Sequence, residues 1–419
     1  MSGKLSFADT RNMLSDPQFA AYTVGNLLSH VGDWAQRLAV GWLTWELTHS
    51  PGWLGVILFS DLAPTLLVSP IGGAFADRMN RLKLARVTVG LCMVQPFVLA
   101  VLYFTGLLNI WFLLAATIYL GVVNALGQTT RLALVPMLVA ERDIPRAAPI
   151  SSISFNLARF AGPALFGVIV SLANPGYAMV ANIFAYGVFV FVLLRLRPRY
   201  EAPNRKQGSG LFSDIGEGIR YALTHAAVGP LLIVLVVSSL GTRAFIDLLP
   251  GFVGGVFGRG PEALATMTSA VALGALSGAI YLMLRTSVLG LAAVSMFASM
   301  WVGACLIAFS FQTTFWPAVI NLYFVGCGLS ISAVGVLSIV QTVVRGEMRG
   351  RVLSIYGIIF RGGPALGGLI MGQVAEFTGL RWPVAAGGLI CILAWFWITG
   401  RLRTVNANIN RTVEFGEKT

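Results

Sequence analysis

Asn26, His30, Asp33 and Arg37 follow one another at steps of 4, 3 and 4 residues, a spacing that stacks all four on one face of an α-helix. The chain around them is otherwise apolar, so one polar stripe implies one aqueous lining. Imidazole titrates near pH 6.5, roughly, and a carboxylate in a perturbed site can titrate alongside it, which makes His30 and Asp33 candidates for taking up and releasing protons. Arg37 keeps its proton. It can pair with Asp33 in i,i+4 register or hold an anionic group. Asp61 has no obvious partner on its own helix and is expected either to carry a proton or to meet a distant arginine. Arg243 and Asp247 repeat the i,i+4 spacing with the charges reversed, and Arg159 and Arg361 stand beside two copies of a Gly-Pro element. Asn26, Arg37, Arg159, Arg243, Asp247 and Arg361 are accordingly candidates for lining a substrate cavity, with packing as the alternative for the arginines.

The elements that must position these groups are set by composition. Hydrophobic residues make up 56% of the 419, charged residues 11%, and mean hydropathy is +0.79, against about 25% charged in soluble domains. Apolar runs of 18 or more residues recur, each able to cross about 30 Å of hydrocarbon as a helix. Twelve spans are expected, at residues 18–48, 52–76, 84–106, 109–130, 147–173, 176–194, 226–250, 262–284, 288–309, 315–340, 353–375 and 383–400. The fold class is all-α integral membrane. Asp33, Arg37, Asp61, Arg159, Arg243, Asp247 and Arg361, well inside those spans, would together cost about 20 kcal/mol if they faced lipid, at about 3 kcal/mol each. They must face the bundle interior or a wet cavity.

The formal charge of +12 is topological. Of 29 Lys and Arg, 23 lie in the tails and even-numbered connections, with Arg86 at the start of the third span counted with the loop before it, two (Arg259 and Arg381) in odd-numbered connections and four deeper inside spans. By the positive-inside rule both termini are expected in the cytoplasm, in a multi-pass protein of a bacterial inner membrane. The basic charge is not gathered into a nucleic-acid face. A tail at 1–17, a six-span bundle at 18–194, a polar linker at 195–225, a second bundle at 226–400 and a tail at 401–419 follow. No cleavable leader is expected, so the first span should stay in the membrane. No phosphate-binding GxxxxGK[ST] loop, HExxH or GxSxG occurs, which argues against ATP-driven pumping and against an enzyme. Cys92, Cys305, Cys327 and Cys391 have no metal-ligand spacing, and no metal or cofactor is expected.

Two internal echoes relate the halves. AGPALFGVI at Ala161–Ile169 returns as GGPALGGLI at Gly362–Ile370, an offset of 201, and SHVGD at Ser29–Asp33 returns faintly as SSLGT at Ser238–Thr242, an offset of 209. They pair span 5 with 11 and span 1 with 7, as a duplicated six-helix unit would.

After the second span comes GGAFADRMNRLKLAR, which resembles the GxxxDRxGR[RK] loop of the major facilitator superfamily through Gly73, Asp77, Arg78 and Arg81. Asn80 stands where that family has Gly and is expected to keep the turn by taking a left-handed backbone. The resemblance implies twelve helices in two pseudo-symmetric six-helix bundles, with the loop charges acting as a conformational gate. Gly162, Pro163 and Gly167 of span 5 are similar to the GPxxGG element of antiporter branches, which implies export; the alternative is a packing kink without a say in direction. SHVGDWAQRLAVGWLTWELTHSPGWLG and RLALVPMLVAERDIPRAAPISS resemble the branch that includes enterobactin exporters and macrolide efflux proteins. GVVNALGQTTR lacks the arginine-centred span-4 pattern of many proton-coupled drug antiporters, with Arg131 only at the cytoplasmic end. The expected function is proton-coupled export of an amphipathic small molecule, a drug, macrolide or siderophore, by a monomer using alternating access and the proton gradient. An importer or lipid carrier of the same fold, or a non-transporting membrane sensor, are the alternatives.

Overall fold

The computed structural model describes residues 13, 15–78, 80–198, 200, 211–225, 228–285, 290–344 and 346–400, and among them there are helices and no strands. Spans 1 to 6 are Pro17–Thr48, Pro51–Arg78, Arg81–Phe104, Ile110–Leu138, Ile144–Leu172 and Gly176–Arg195. Span 7 runs from Val228 to Val256 in several pieces; spans 8 to 12 are Pro261–Leu284, Leu291–Ser310, Phe315–Val343, Gly346–Thr378 and Arg381–Thr399. Among the described residues, ten helical stretches are long and apolar enough to cross a membrane by length and composition. Span 1 falls short of that hydropathy because of the polar stripe it carries. The linker holds a helix that its polar composition did not suggest, Leu211–Thr224. It lies along the start of span 11 through Glu217, which accepts from Arg351 at 2.6 Å, and through Gly218 against Ile355.

Short polar side chains start the helices where backbone N–H groups lack partners. Asp16 Oδ1 accepts from the N–H of Gln18 at 2.8 Å, and Asn109 Oδ1 from that of Phe112 at 3.0 Å. Asn80 does the same for span 3, accepting from the Lys83 N–H at 3.0 Å with φ −60° and ψ 115°. The left-handed turn expected there does not form, because an Asn in extended conformation can cap the next helix. The non-glycine residue with positive φ among the described residues is His49, at 50°, between spans 1 and 2.

The chain divides into two compact units: Met1–Leu47 with Ser60–Gln207, and Thr48–Phe59 with Gly208–Thr419. The outer end of span 2 therefore clusters with the second unit. There Glu376 Oε2 accepts from Ser50 Oγ and from the Gly52 N–H, both at 3.0 Å, at the exposed helix start.

In the first unit, Phe19, Tyr22, Val89, Leu134, Tyr186, Phe189 and Leu193 form a core drawn from spans 1, 3, 4 and 6. In the second, Leu231, Met296, Val336, Ile339 and Val352 do so for spans 7, 9, 10 and 11. Close backbone approach through glycine supplies much of the helix contact, as expected where lipid is no worse a solvent than a neighbouring helix. A Cβ on Gly303 would meet Gly388 O at 2.5 Å, and one on Gly278 would meet Cys327 O at 2.5 Å.

Candidate functional site

Span 1 carries the polar stripe into the middle of the first unit. Asp33 Oδ1 accepts from Tyr186 Oη at 2.6 Å and from Asn182 Nδ2 at 3.4 Å, and its Oδ2 lies 3.6 Å from His30 Nδ1. Asn182 also donates to Gln36 at 2.7 Å, and Gln36 in turn donates to Gln95. Gly32 admits this cluster, since a Cβ there would collide with the Asn182 side chain. Arg131 is within Coulombic reach of Asp33, and its guanidinium carbon lies 5.3 Å from the Phe189 ring. Span 4 continues past the expected end at 130 to Leu138, which brings Arg131 about two turns inside the helix.

The second cluster centres on Trp34. Arg37 and Arg159 each place the guanidinium carbon 5.6 Å from the Trp34 ring, and Arg37 Nη1 reaches Asp61 Oδ2 at 3.5 Å. Asp61 thus meets an arginine from another helix, one of the two roles expected for it, while Asp33 is engaged by His30, Tyr186 and Asn182. Phe155 closes the group edge-on, its ring centre 5.5 Å from His30 and 6.5 Å from Trp34. Gly162 lets span 5 press onto Trp34 and the backbone of span 1. Asn26 is half-buried in the same stripe, its amide oxygen unpartnered among the described residues.

In the second unit span 7 is broken where Arg243 and Asp247 stand. An α-helix, Val228–Ser238, gives way to a π segment, Ser239–Arg243, and a 3-10 segment, Ala244–Leu248; such interruptions recur at functional sites. Spans 11 and 12 grip the break. A Cβ on Gly363 would meet Ser239 Cβ at 2.5 Å, one on Gly367 would meet Ala244 Cβ at 2.9 Å, and one on Gly241 would meet Gly387 O at 3.0 Å. Arg243 is half-buried with its guanidinium carbon 3.8 Å over the Phe360 ring. Phe360 stacks on Tyr356 at 5.6 Å and 20°, and the Tyr356 hydroxyl donates to Ala333 O at 3.0 Å.

The structure thus gathers His30, Asp33, Arg37, Asp61 and Arg159 in one unit and leaves Arg243 and Asp247 on the broken segment of span 7 in the other, while the Arg361 side chain is exposed. Gly162 and Pro163 are buried. Of Gly73, Asp77 and Arg78 only the helical backbone is described; Arg81 opens span 3, half-buried. Tyr186, Asn182, Trp34 and Phe360 were not anticipated. Their signal was present only as aromatic or amide residues in apolar spans, and such residues are common there.

The backbone has the fold of major facilitator transporters. A POT family transporter in complex with a thioalcohol-conjugated peptide aligns with a TM-score of 0.72 at 11% identity, over 92% of this chain and 96% of that one. A bacterial homologue of the human lysosomal transporter Spinster aligns at 0.68 and 14%, over 94% and 98%. The chain belongs to the transmembrane secretion effector family, whose model matches residues 9–418, and so to the major facilitator superfamily. It is similar to the staphyloferrin A transporter of Staphylococcus aureus, 24% identical over 90% of this chain and 94% of that one. It is also similar to the enterobactin exporter EntS of Salmonella typhi, 25% identical over 92% and 93%. The protein is a multi-pass membrane transporter and not an enzyme.

Proposed function

We propose that the protein is a secondary active exporter of an amphipathic small molecule, siderophore-like or drug-like, working by alternating access and driven by protons entering the cell. The observation that carries the reading is Asp33, a carboxylate within span 1 held by a phenol at 2.6 Å and an imidazole at 3.6 Å. Protonating it replaces an acceptor by a donor, which changes the bonds available to Tyr186, Asn182 and His30 together. Asp61, paired with Arg37, offers a second carboxylate whose protonation would release a guanidinium towards substrate. Export is supported by the likeness to an enterobactin exporter. Gly162 packs against Trp34 and the backbone of span 1, a fit that serves either reading of the Gly-Pro element. Residence in a bacterial inner membrane with both termini cytoplasmic belongs to the same reading and rests on the 23-to-2 distribution of basic residues.

The test is proton flux in liposomes holding the purified protein, with lumenal pH recorded as catecholate siderophores, macrolides and lipophilic cations are added. Proton efflux from acid-loaded vesicles on adding substrate, abolished by Asp33→Asn, is the expected result. Substrate movement without proton movement overturns the coupling.

A further inference from the structure

Arg259 and Arg381 are the two basic residues of the odd-numbered connections, on the side that the remaining Lys and Arg avoid. Arg259 follows the π segment that ends span 7, Phe252–Val256, and is fixed there through its backbone: its N–H donates to Val253 O at 2.9 Å, and that of Phe257 donates to Phe252 O at 2.9 Å. Its guanidinium carbon lies 4.3 Å over the ring of Phe315, the first residue of span 10, and Phe257 meets the same ring edge-on at 6.2 Å. Among the described residues Arg259 has no carboxylate partner. A cavity of about 360 Å³ opens beside it, its walls including Phe257, Thr313, Thr314, Phe315 and Trp316 and no carboxylate. Thr313 and Thr314 are exposed, and the Thr314 hydroxyl makes no capping bond to span 10.

We propose that this cavity binds the phosphate of a net-anionic phospholipid of the phosphatidylglycerol type. The depth is that of headgroups. Trp316 at the start of span 10 is 64% exposed, and Trp382 at the start of span 12 is 61% exposed and packs edge-on against Phe311 at the end of span 9. Ends of odd spans and starts of even spans share one side of the membrane, and bare aromatic side chains at span ends settle at the interface. The Phe315 ring covers one face of the guanidinium and leaves its in-plane N–H donors for two phosphate oxygens. The threonine hydroxyls can donate to the phosphate or exchange hydrogen bonds with a glycerol headgroup. An ammonium headgroup would meet a guanidinium and find no carboxylate in the walls, so net-anionic lipid is favoured over zwitterionic. A lipid held there joins the connection after span 7 to the start of span 10, and so braces the end of the broken span. Which leaflet supplies it rests on the topology proposed above; that it binds does not.

The test is amide hydrogen exchange, read by mass spectrometry, on the full-length protein in phosphatidylcholine nanodiscs, with phosphatidylglycerol added in steps and R259Q, T314V and R381Q alongside. Wild type is expected to exchange more slowly at 252–259 and 311–316 as phosphatidylglycerol enters, while phosphatidylethanolamine or inorganic phosphate leaves those segments as they were. Loss of a charge-assisted phosphate contact predicts that the half-maximal phosphatidylglycerol fraction rises about tenfold or more in R259Q, and loss of a neutral hydrogen bond about threefold in T314V. In R381Q it stays at the wild-type value. Protection of R259Q at the wild-type midpoint, equal protection by phosphatidylethanolamine, or a shift in R381Q as large as that in R259Q overturns the proposal. Inorganic phosphate that reproduces the protection assigns the cavity to a free anion and overturns the lipid. If R259Q loosens the two segments before lipid is added, T314V decides, and an unchanged midpoint in T314V overturns the proposal.

Discussion

The guanidinium of Arg243 lies 3.8 Å over the ring of Phe360, joining the broken segment of span 7 to span 11 at the point where Gly363 removes the bulk between them. Desolvated contacts of this kind contribute about 0.5–2 kcal/mol. A double-mutant cycle with Arg243→Met and Phe360→Leu, read by thermal or denaturant unfolding in detergent, is expected to show coupling within that range. Strictly additive effects would mean the two groups are adjacent without interacting.

Gly363→Ala places a methyl group 2.5 Å from Ser239 Cβ, whereas at Gly357 nothing lies within 4 Å of a new Cβ. Overpacking of this sort costs about 1–3 kcal/mol. Gly363→Ala should lower the melting temperature in detergent by several degrees, and Gly357→Ala should leave it level or raise it slightly through helix propensity.

Tyr186→Phe removes the 2.6 Å donor to Asp33 and leaves the ring in its buried place. A hydrogen bond to a charged group contributes about 1.5–3 kcal/mol, so substrate-evoked proton flux should fall about tenfold or more while the protein remains monodisperse. Unchanged flux would remove Tyr186 from the coupling machinery.

Glu376→Ala takes away the carboxylate that accepts from Ser50 Oγ and the Gly52 N–H at the start of span 2. Losing a cap costs about 1 kcal/mol. Faster amide hydrogen exchange confined to residues 50–55 is the expected signature, with the stripe residues of span 1 unaffected.

If the basic residues do set the topology, a fluorescent protein fused after Thr419 will fluoresce and alkaline phosphatase at the same point will be inactive, because the phosphatase needs the oxidising outer side. The opposite pair of results would place the C-terminus outside.

Much of this protein was determined by its sequence alone. Apolar runs of spanning length leave backbone groups no partners but those within a helix, so an all-helical membrane fold followed from composition; most span boundaries emerged close to those observed, while span 4 runs on to Leu138, span 7 to Val256 and span 11 begins back at Gly346. The polar stripe of span 1 was legible because periodicity is local: Asn26, His30, Asp33 and Arg37 share a face whatever packs on it. The Gly-Pro repeat revealed the duplication. Partners were another matter. Asp33 and Arg37, which i,i+4 spacing could have paired, are engaged by Tyr186 and Asp61, groups 153 and 24 residues away along the chain. Only helix rotation and crossing decide which faces meet, and neither leaves a local pattern. The same holds for Arg131, whose depth depended on how far span 4 continues, for the break in span 7, and for Phe360, one apolar residue among many until span 11 lays it under Arg243.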